Sequence, residues 1–268
     1  MLSASSFFAL TGDGVNDAPA LKKADAGIAV SGATDAARAA ASIVLLAPGL
    51  STIVDAIRES RRIFRRMTNY ATYRVAETVA LLGFISLAVV FYDFHPVTAT
   101  MIVLLAILND GAILSIAYDN VKGDTLPQRW NIRKIMGVAT ALGVWATARS
   151  LTIMHLGQTT FGLDTPALQR LIYLNLSIGG HLTLFAARTM GPFWTVRPSR
   201  ILVAAVLGTQ FIATLIAVNG FLMSPIPWKL AGFVWACSLG QFIIQDFVKM
   251  GAYLFVGPTH SGLISRRP

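Results

Sequence analysis

A chain of 268 residues with 54% hydrophobic and only 13% charged residues, and a mean hydropathy of +0.62, is not an ordinary water-soluble protein. Such a protein carries about twice that charged fraction. The net charge of +9 would suit a nucleic-acid partner, because basic patches attract phosphate. The basic residues instead cluster at the ends of long apolar blocks, so membrane topology accounts for them and no nucleic acid is expected. The single cysteine, Cys237, lies inside an apolar block, which excludes an intrachain disulfide and fits a small buried hydrophobe.

The N-terminal stretch Met1–Phe8 has neither the basic region nor the apolar run of a signal peptide. The short apolar run Phe7-Phe8-Ala9-Leu10 leads into Thr11-Gly12-Asp13-Gly14-Val15-Asn16-Asp17-Ala18-Pro19. A helix is expected over Pro19–Ala24, a strand at Gly27–Val30, an alanine-rich helix at Thr34–Ala41 and a strand at Ile43–Leu46. Alternating strands and helices predict a parallel α/β layer, with the Gly-rich loop at the strand's C-terminal end, where ligands bind.

The residue types in that loop fit phosphate chemistry. Gly12 and Gly14 let the backbone approach a phosphate closely, and Asp13 offers a hard carboxylate oxygen for magnesium. Asn16 is placed to donate a hydrogen bond to a phosphoryl oxygen, and Asp17 reads as the cap of the following helix. Taken alone, a Gly-Asp-Gly run is equally a plain turn.

Six later stretches are long and apolar enough to cross a bilayer as helices of about twenty residues. They lie near Val75–Tyr92, Val97–Ala117, Ile135–Met154, Leu171–Ala187, Ile201–Met223 and Leu230–Met250, the fourth being short and interrupted by glycine. Pro96, Pro127, Pro166, Pro198 and Pro225 fall between them, where a missing N–H does no harm. One side of the predicted membrane collects Arg58, Arg61, Arg62, Arg65, Arg66 and Arg74, then Lys122, Arg129, Arg133 and Lys134. The same side takes Arg188, Arg197 and Arg200, then Lys249, Arg266 and Arg267, against only Arg170 and Lys229 opposite. That asymmetry predicts both termini in the cytoplasm.

Within the spans, Asp110 is the outstanding residue, flanked by Leu104-Leu105-Ala106-Ile107-Leu108 and Gly111-Ala112-Ile113-Leu114. An ionisable group there is costly unless paired or hydrated, and so is functional by default. A structural acid bonded to a neighbouring helix is the alternative. Asn109 beside it and Ser86 in the first span make a poor cage for a metal ion, which needs several converging oxygens, but suffice for one proton. Arg149 is an unexpected cation inside the third span. His181, Gln210, Gln241 and Gln245 read as bridges between helices. Asp246 and Lys249, three apart, read as a surface ion pair.

Thr11-Gly-Asp-Gly-Val-Asn-Asp-Ala-Pro-Ala-Leu-Lys-Lys-Ala-Asp-Ala-Gly-Ile-Ala-Val30 resembles the hinge signature of P-type ATPases. The resemblance continues through Gly32–Arg38 and into the spans. Ile107-Leu108-Asn109-Asp110-Gly111 and Ala117-Tyr118-Asp119-Asn120-Val121 resemble the plasma-membrane proton-pump branch. It implies a mainly α-helical polytopic membrane protein with six transmembrane helices, preceded by a partial α/β haloacid-dehalogenase-like phosphorylation domain. It also implies that residues 1–52 end that phosphorylation domain, 53–74 form a stalk helix, 75–250 the membrane domain and 251–268 a cytoplasmic tail. Carried over, Asp13 helps hold Mg2+, Asn16 contacts phosphate, and Asp17 orders the hinge with Thr11, Gly12 and Gly14. Asp110 is then the proton-binding carboxylate, with Asn109 in support.

Two departures stand out. Ser42 replaces the family's usual Asp, and Glu77-Thr78 is followed by Val79-Ala80 where an Arg is expected. Arg74 reads as lying at the membrane surface, and Arg149 is a candidate substitute for that countercharge, with snorkelling or a backbone carbonyl partner as the alternative. The sequence contains no Asp-Lys-Thr-Gly-Thr, so no residue here accepts a phosphoryl group. Two functions are therefore expected as alternatives. One is part of an ATP-driven proton exporter, completed by a missing N-terminal half in the same or a separate chain. The other is an inactive relic or regulatory membrane protein, or a pump for another cation.

Overall fold

The computed structural model describes residues 8–48, 50–122 and 130–256. Met1–Phe7, Pro127, Arg129 and the tail 257–268 with Arg266 and Arg267 lie outside the described residues. The chain forms two compact units, Met1–Arg61 and Arg62–Pro268.

The first unit is a small three-stranded parallel sheet in the order β1 (Ala9–Gly12), β2 (Ala26–Ala29), β3 (Ile43–Val44). Parallel neighbours need crossover connections, and two six-residue helices supply them, α1 (Ala18–Lys23) and α2 (Asp35–Ala40). Ala9 pairs with Ala26 and Ile28 with Ile43. Leu21, Ala29, Ala33 and Ala37 form the apolar core, with Leu10, Ala40 and Ala41 packed on it. Thr34 caps α2 by accepting from the Ala37 amide at 3.4 Å.

A 43-residue helix, α3 (Leu50–Tyr92), covers the predicted basic segment and the first apolar stretch without interruption. The remaining apolar stretches are α4 (Ala99–Ile113), α5 (Ile132–Thr159), α6 (Thr165–Ala187), α7 (Arg200–Asn219) and α8 (Trp228–Phe255). Among the described residues, four helical segments are long and apolar enough to cross a membrane: Ser51–Tyr92, Ala99–Tyr118, Arg200–Asn219 and Trp228–Phe255. The mainly helical fold and the parallel sheet therefore hold, and the chain is an integral membrane protein.

Several expectations change in detail. The second stretch is α-helical only to Ile113 and tightens into a 3-10 helix over Leu114–Tyr118. The fourth is not broken by its glycines, because α6 runs through Gly179 and Gly180. The fifth stops at Asn219, where Gly220 adopts φ 75° and closes the helix, four residues before the expected end. Asp246 and Lys249 are 2% and 0% exposed, so their pair is sealed in the interior and is no surface contact.

α6 is the central helix of the second unit and packs against α4, α5, α7 and α8. Two apolar clusters surround it, one around Phe84, Ile153, Leu171 and Tyr173, the other around Tyr73, Ile113, Leu142 and Leu202. Polar side chains join the helices. His181 Nε2 meets Thr209 Oγ1 at 2.8 Å, Ser177 Oγ donates to Gln210 Oε1 at 3.1 Å, and Gln245 Nε2 donates to Thr183 Oγ1 at 2.9 Å. The two glutamines and the histidine thus bridge helices.

Candidate functional sites

In the first unit the loop after β1 is closed by its own acid. Asp17 occupies the N-cap position of α1, but its side chain makes no capping hydrogen bond. Its carboxylate turns back instead, and Oδ2 accepts from the amides of Asp13 at 3.1 Å and Gly14 at 3.0 Å. Gly12 is required by this closure, since a Cβ there would lie 2.6 Å from Asp17 Cβ. Thr34 N donates to the Asp13 carbonyl at 2.8 Å, which ties the loop to the start of α2. Thr11, Asp13 and Asn16 remain exposed at the strand's C-terminal edge. Asp17→Ala is expected to speed hydrogen exchange at the Asp13 and Gly14 amides roughly tenfold, through loss of two charge-assisted bonds worth about 1–2 kcal/mol together in this half-buried setting. Unchanged exchange in the full chain would show that Asp17 does not hold the loop.

Magnesium commonly takes one or two carboxylates and completes its shell with phosphate oxygens and water. One exposed carboxylate at Asp13, on a loop whose amides are already engaged by Asp17, fits that kind of ion better than a cage of protein ligands.

In the second unit, α3 and α4 bring three charged groups together. Arg74 Nη2 donates to Asp110 Oδ1 at 2.6 Å, and Arg74 Nη1 donates to Glu77 Oε2 at 3.0 Å. Asn109 Nδ2 donates to the other Glu77 oxygen at 2.5 Å. Arg74, and not Arg149, is therefore the cation seated against Asp110 in this structure. Spacing explains the triad: Arg74 and Glu77 are three apart on one helix face, and Asp110 meets them from the neighbouring helix. Asp110 is half exposed among the described residues, whereas Glu77 is 18% exposed.

Next to the triad lies a cavity of about 270 Å3 whose walls include Arg74, Glu77, Asn109, Arg149, Ser150 and Thr183. Arg149 on α5 is 4% exposed. Among the described residues its Nε and Nη1 have no hydrogen-bond partner. Gly179 makes room for it, since any Cβ there would overlap Arg149 Nη2. Sequence reasoning passed over Glu77, using it only as a landmark. The signal was present: an acid in an apolar run, one turn after an arginine.

A buried ionic hub joins four chain segments elsewhere in the unit. Asp119 receives Arg188 Nε at 2.5 Å and Nη2 at 3.0 Å, and the Ser199 amide at 3.1 Å. Arg66 Nε reaches the Asp119 carbonyl at 2.9 Å. Asn69 Nδ2 donates to the Arg188 carbonyl at 2.8 Å.

No protein-family profile matches the chain. Individual relatives match most of it. It is 50% identical over 243 residues to a candidate cation-transporting ATPase of Methanocaldococcus jannaschii, covering 90% of this chain and 30% of that protein. It is 44% identical over 250 residues to plasma membrane ATPase 1 of Saccharomyces cerevisiae, covering 88% of this chain and 27% of the relative. It is also 44% identical over 262 residues to plasma membrane ATPase 1 of Candida albicans, covering 94% and 28% respectively. The chain thus spans less than a third of the length of these relatives. Over most of its own length it is homologous to P-type ATPases, mainly those of the plasma-membrane branch.

Proposed function

We propose that the chain is the hinge-loop and membrane part of an ATP-driven P-type pump that exports protons. The Arg74–Asp110 pair is the observation that carries this reading. A carboxylate paired with a guanidinium on an apolar helix is a site for one proton rather than for a multiply coordinated metal ion, which needs several converging oxygens. The sequence relation to plasma-membrane ATPases supports the same reading. Asp110 is the transported proton's carrier, and Asn109 supports it through Glu77.

In this reading all six long helices cross the bilayer with both termini cytoplasmic. α5 and α6, with 28 and 23 residues, extend about 42 and 34 Å at 1.5 Å per residue, enough for a hydrocarbon core of about 30 Å. The first unit is the end of a haloacid-dehalogenase-like phosphorylation domain. There Asp13 would hold Mg2+, Asn16 would contact phosphate, and Thr11, Gly12, Gly14 and Asp17 would shape the loop. The ion supplies charge neutralisation at the phosphoryl group. ATP is the substrate of the complete pump, and the phosphoryl-accepting Asp comes from its remaining part.

Asp110→Asn in the complete pump, reconstituted in vesicles, is expected to abolish ATP-driven acidification while phosphorylation by ATP persists. Acidification at the unmodified rate would overturn the assignment. Transport that follows an added metal cation and not pH would replace the proton as the ion.

A further inference from the structure

We propose that Glu77 is a second proton-binding carboxylate of the transport path, discharged by Arg149 across the cavity; this rests on the proton-pump reading above. Two acids, Glu77 and Asp110, share the single guanidinium of Arg74 at 3.0 and 2.6 Å. With both ionised, that triad carries one net negative charge. A proton reaching this triad has two carboxylates that can take it. Asp110 is one place for it and Glu77 is the other.

The cavity decides in favour of giving Glu77 a role of its own. Among the described residues lining it, Glu77 is the only acid. Arg149 enters from α5, 4% exposed and with two nitrogens unpartnered among the described residues. A buried cation without an acceptor costs several kcal/mol, and an anion in the same cavity would offset that cost. Ionised Glu77 is the anion this cavity offers. The charged and titratable groups facing Glu77 are few. α3 gives Tyr73 and Arg74. α4 gives uncharged Asn109 and, through Arg74, Asp110. α5 gives Arg149, and the α6 wall is Leu176, Gly179, Gly180 and Thr183, all uncharged. His181 on α6 is turned to Thr209 on α7.

The step is a proton transfer without redox change. The O–H bond of the Glu77 acid breaks, its electron pair stays on the carboxylate that shares the cavity with Arg149, and the proton passes to water. Asn109, donating to Oε1, and Arg74, donating to Oε2, hold the ionised form.

The test is an infrared difference titration of the full chain in lipid nanodiscs, following the carboxylic acid C=O band from acid to alkaline pH. Subtracting Glu77→Gln from the unmodified protein is expected to isolate one titrating carboxyl. Arg149→Gln is expected to move its midpoint up by about one pH unit or more, because a cation that favours the charged form is gone. Arg149→Lys, which keeps the charge, is expected to restore it. Should Arg149→Gln fail to fold, Asn109→Leu serves instead, with an upward shift expected from the lost donor. No C=O band in the Glu77 difference, or a midpoint indifferent to both substitutions, overturns the proposal. The Asp110→Asn difference reads the earlier assignment separately. An Asp110 band without a Glu77 band sinks this inference alone, and a missing Asp110 band sinks the proton-carrier reading itself.

Discussion

Lys249→Met is expected to destabilise the helical unit by about 3–5 kcal/mol, since it strips the partner from an acid sealed inside it. Lys249 Nζ donates to Asp246 Oδ1 at 2.5 Å, to the carbonyls of Ala186 and Gly191 at 3.1 and 2.7 Å, and to Thr189 Oγ1 at 3.2 Å. Without it, Asp246 keeps the Phe193 amide at 3.0 Å among the described residues, and the Ala186 carbonyl and Thr189 Oγ1 lose this donor, while the Gly191 carbonyl retains Thr189 Oγ1 at 2.8 Å. Methionine fills most of the stem's volume, so the loss reports charge more than packing. Thermal unfolding of the purified chain should show a midpoint lower by roughly 10 °C. Asp246→Leu added to Lys249→Met should recover much of it, because replacing both members of a buried pair is far less costly than removing one. A single variant as stable as the unmodified chain would mean that the buried ammonium contributes nothing net.

Asp119→Ala is expected to cost at least as much, again about 3–5 kcal/mol. The change leaves the Arg188 guanidinium, 1% exposed in its side chain, without its anion, and it frees the Ser199 amide at the start of α7. Asp119→Asn keeps an acceptor oxygen and should fall between the two. Because Arg188 and the oxygens bound by Lys249 belong to the same end of α6, the Asp119 and Lys249 losses should combine non-additively. The same unfolding measurement checks this, and strict additivity would show that the two ionic groups stabilise separate parts of the unit.

The sequence made the helices legible because hydrophobicity accumulates along a run and needs no partner to be seen. Each of the six apolar stretches contains a helix, and the parallel sheet followed from alternating Gly/Ala-rich strands and helices. Helix ends were less legible. Apolar composition continues through Leu114–Tyr118 although the winding tightens, and through Phe221–Met223 although Gly220 has already closed α7. Charged residues were the hardest to place. Arg74 and Lys249 sit close to the ends of the apolar stretches in sequence, where solvent or a membrane surface is the default. Their surroundings depend on which helix crosses beside them, and one sequence does not carry that information. Glu77 was hidden for the same reason, since its partner Asn109 lies on another helix. At the hinge loop, the residue types pointed to Asp17 as important, but a cap and a back-turned carboxylate have the same local sequence.

The 3-10 segment Leu114–Tyr118 lies between two fixed points of different kinds: Asp110, four residues before it, and Asp119, immediately after it and clamped by Arg188 and Ser199. A 3-10 helix rises about 2.0 Å and turns about 120° per residue, against 1.5 Å and 100° in an α-helix. Five residues rewound from one form to the other, with the Asp119 end anchored, displace the body of α4 by about 2.5 Å along its axis and rotate it by about 100°. A change in the winding of this short segment would therefore act as a screw thread for Asp110, altering both the depth of the carboxylate and the compass direction in which it points.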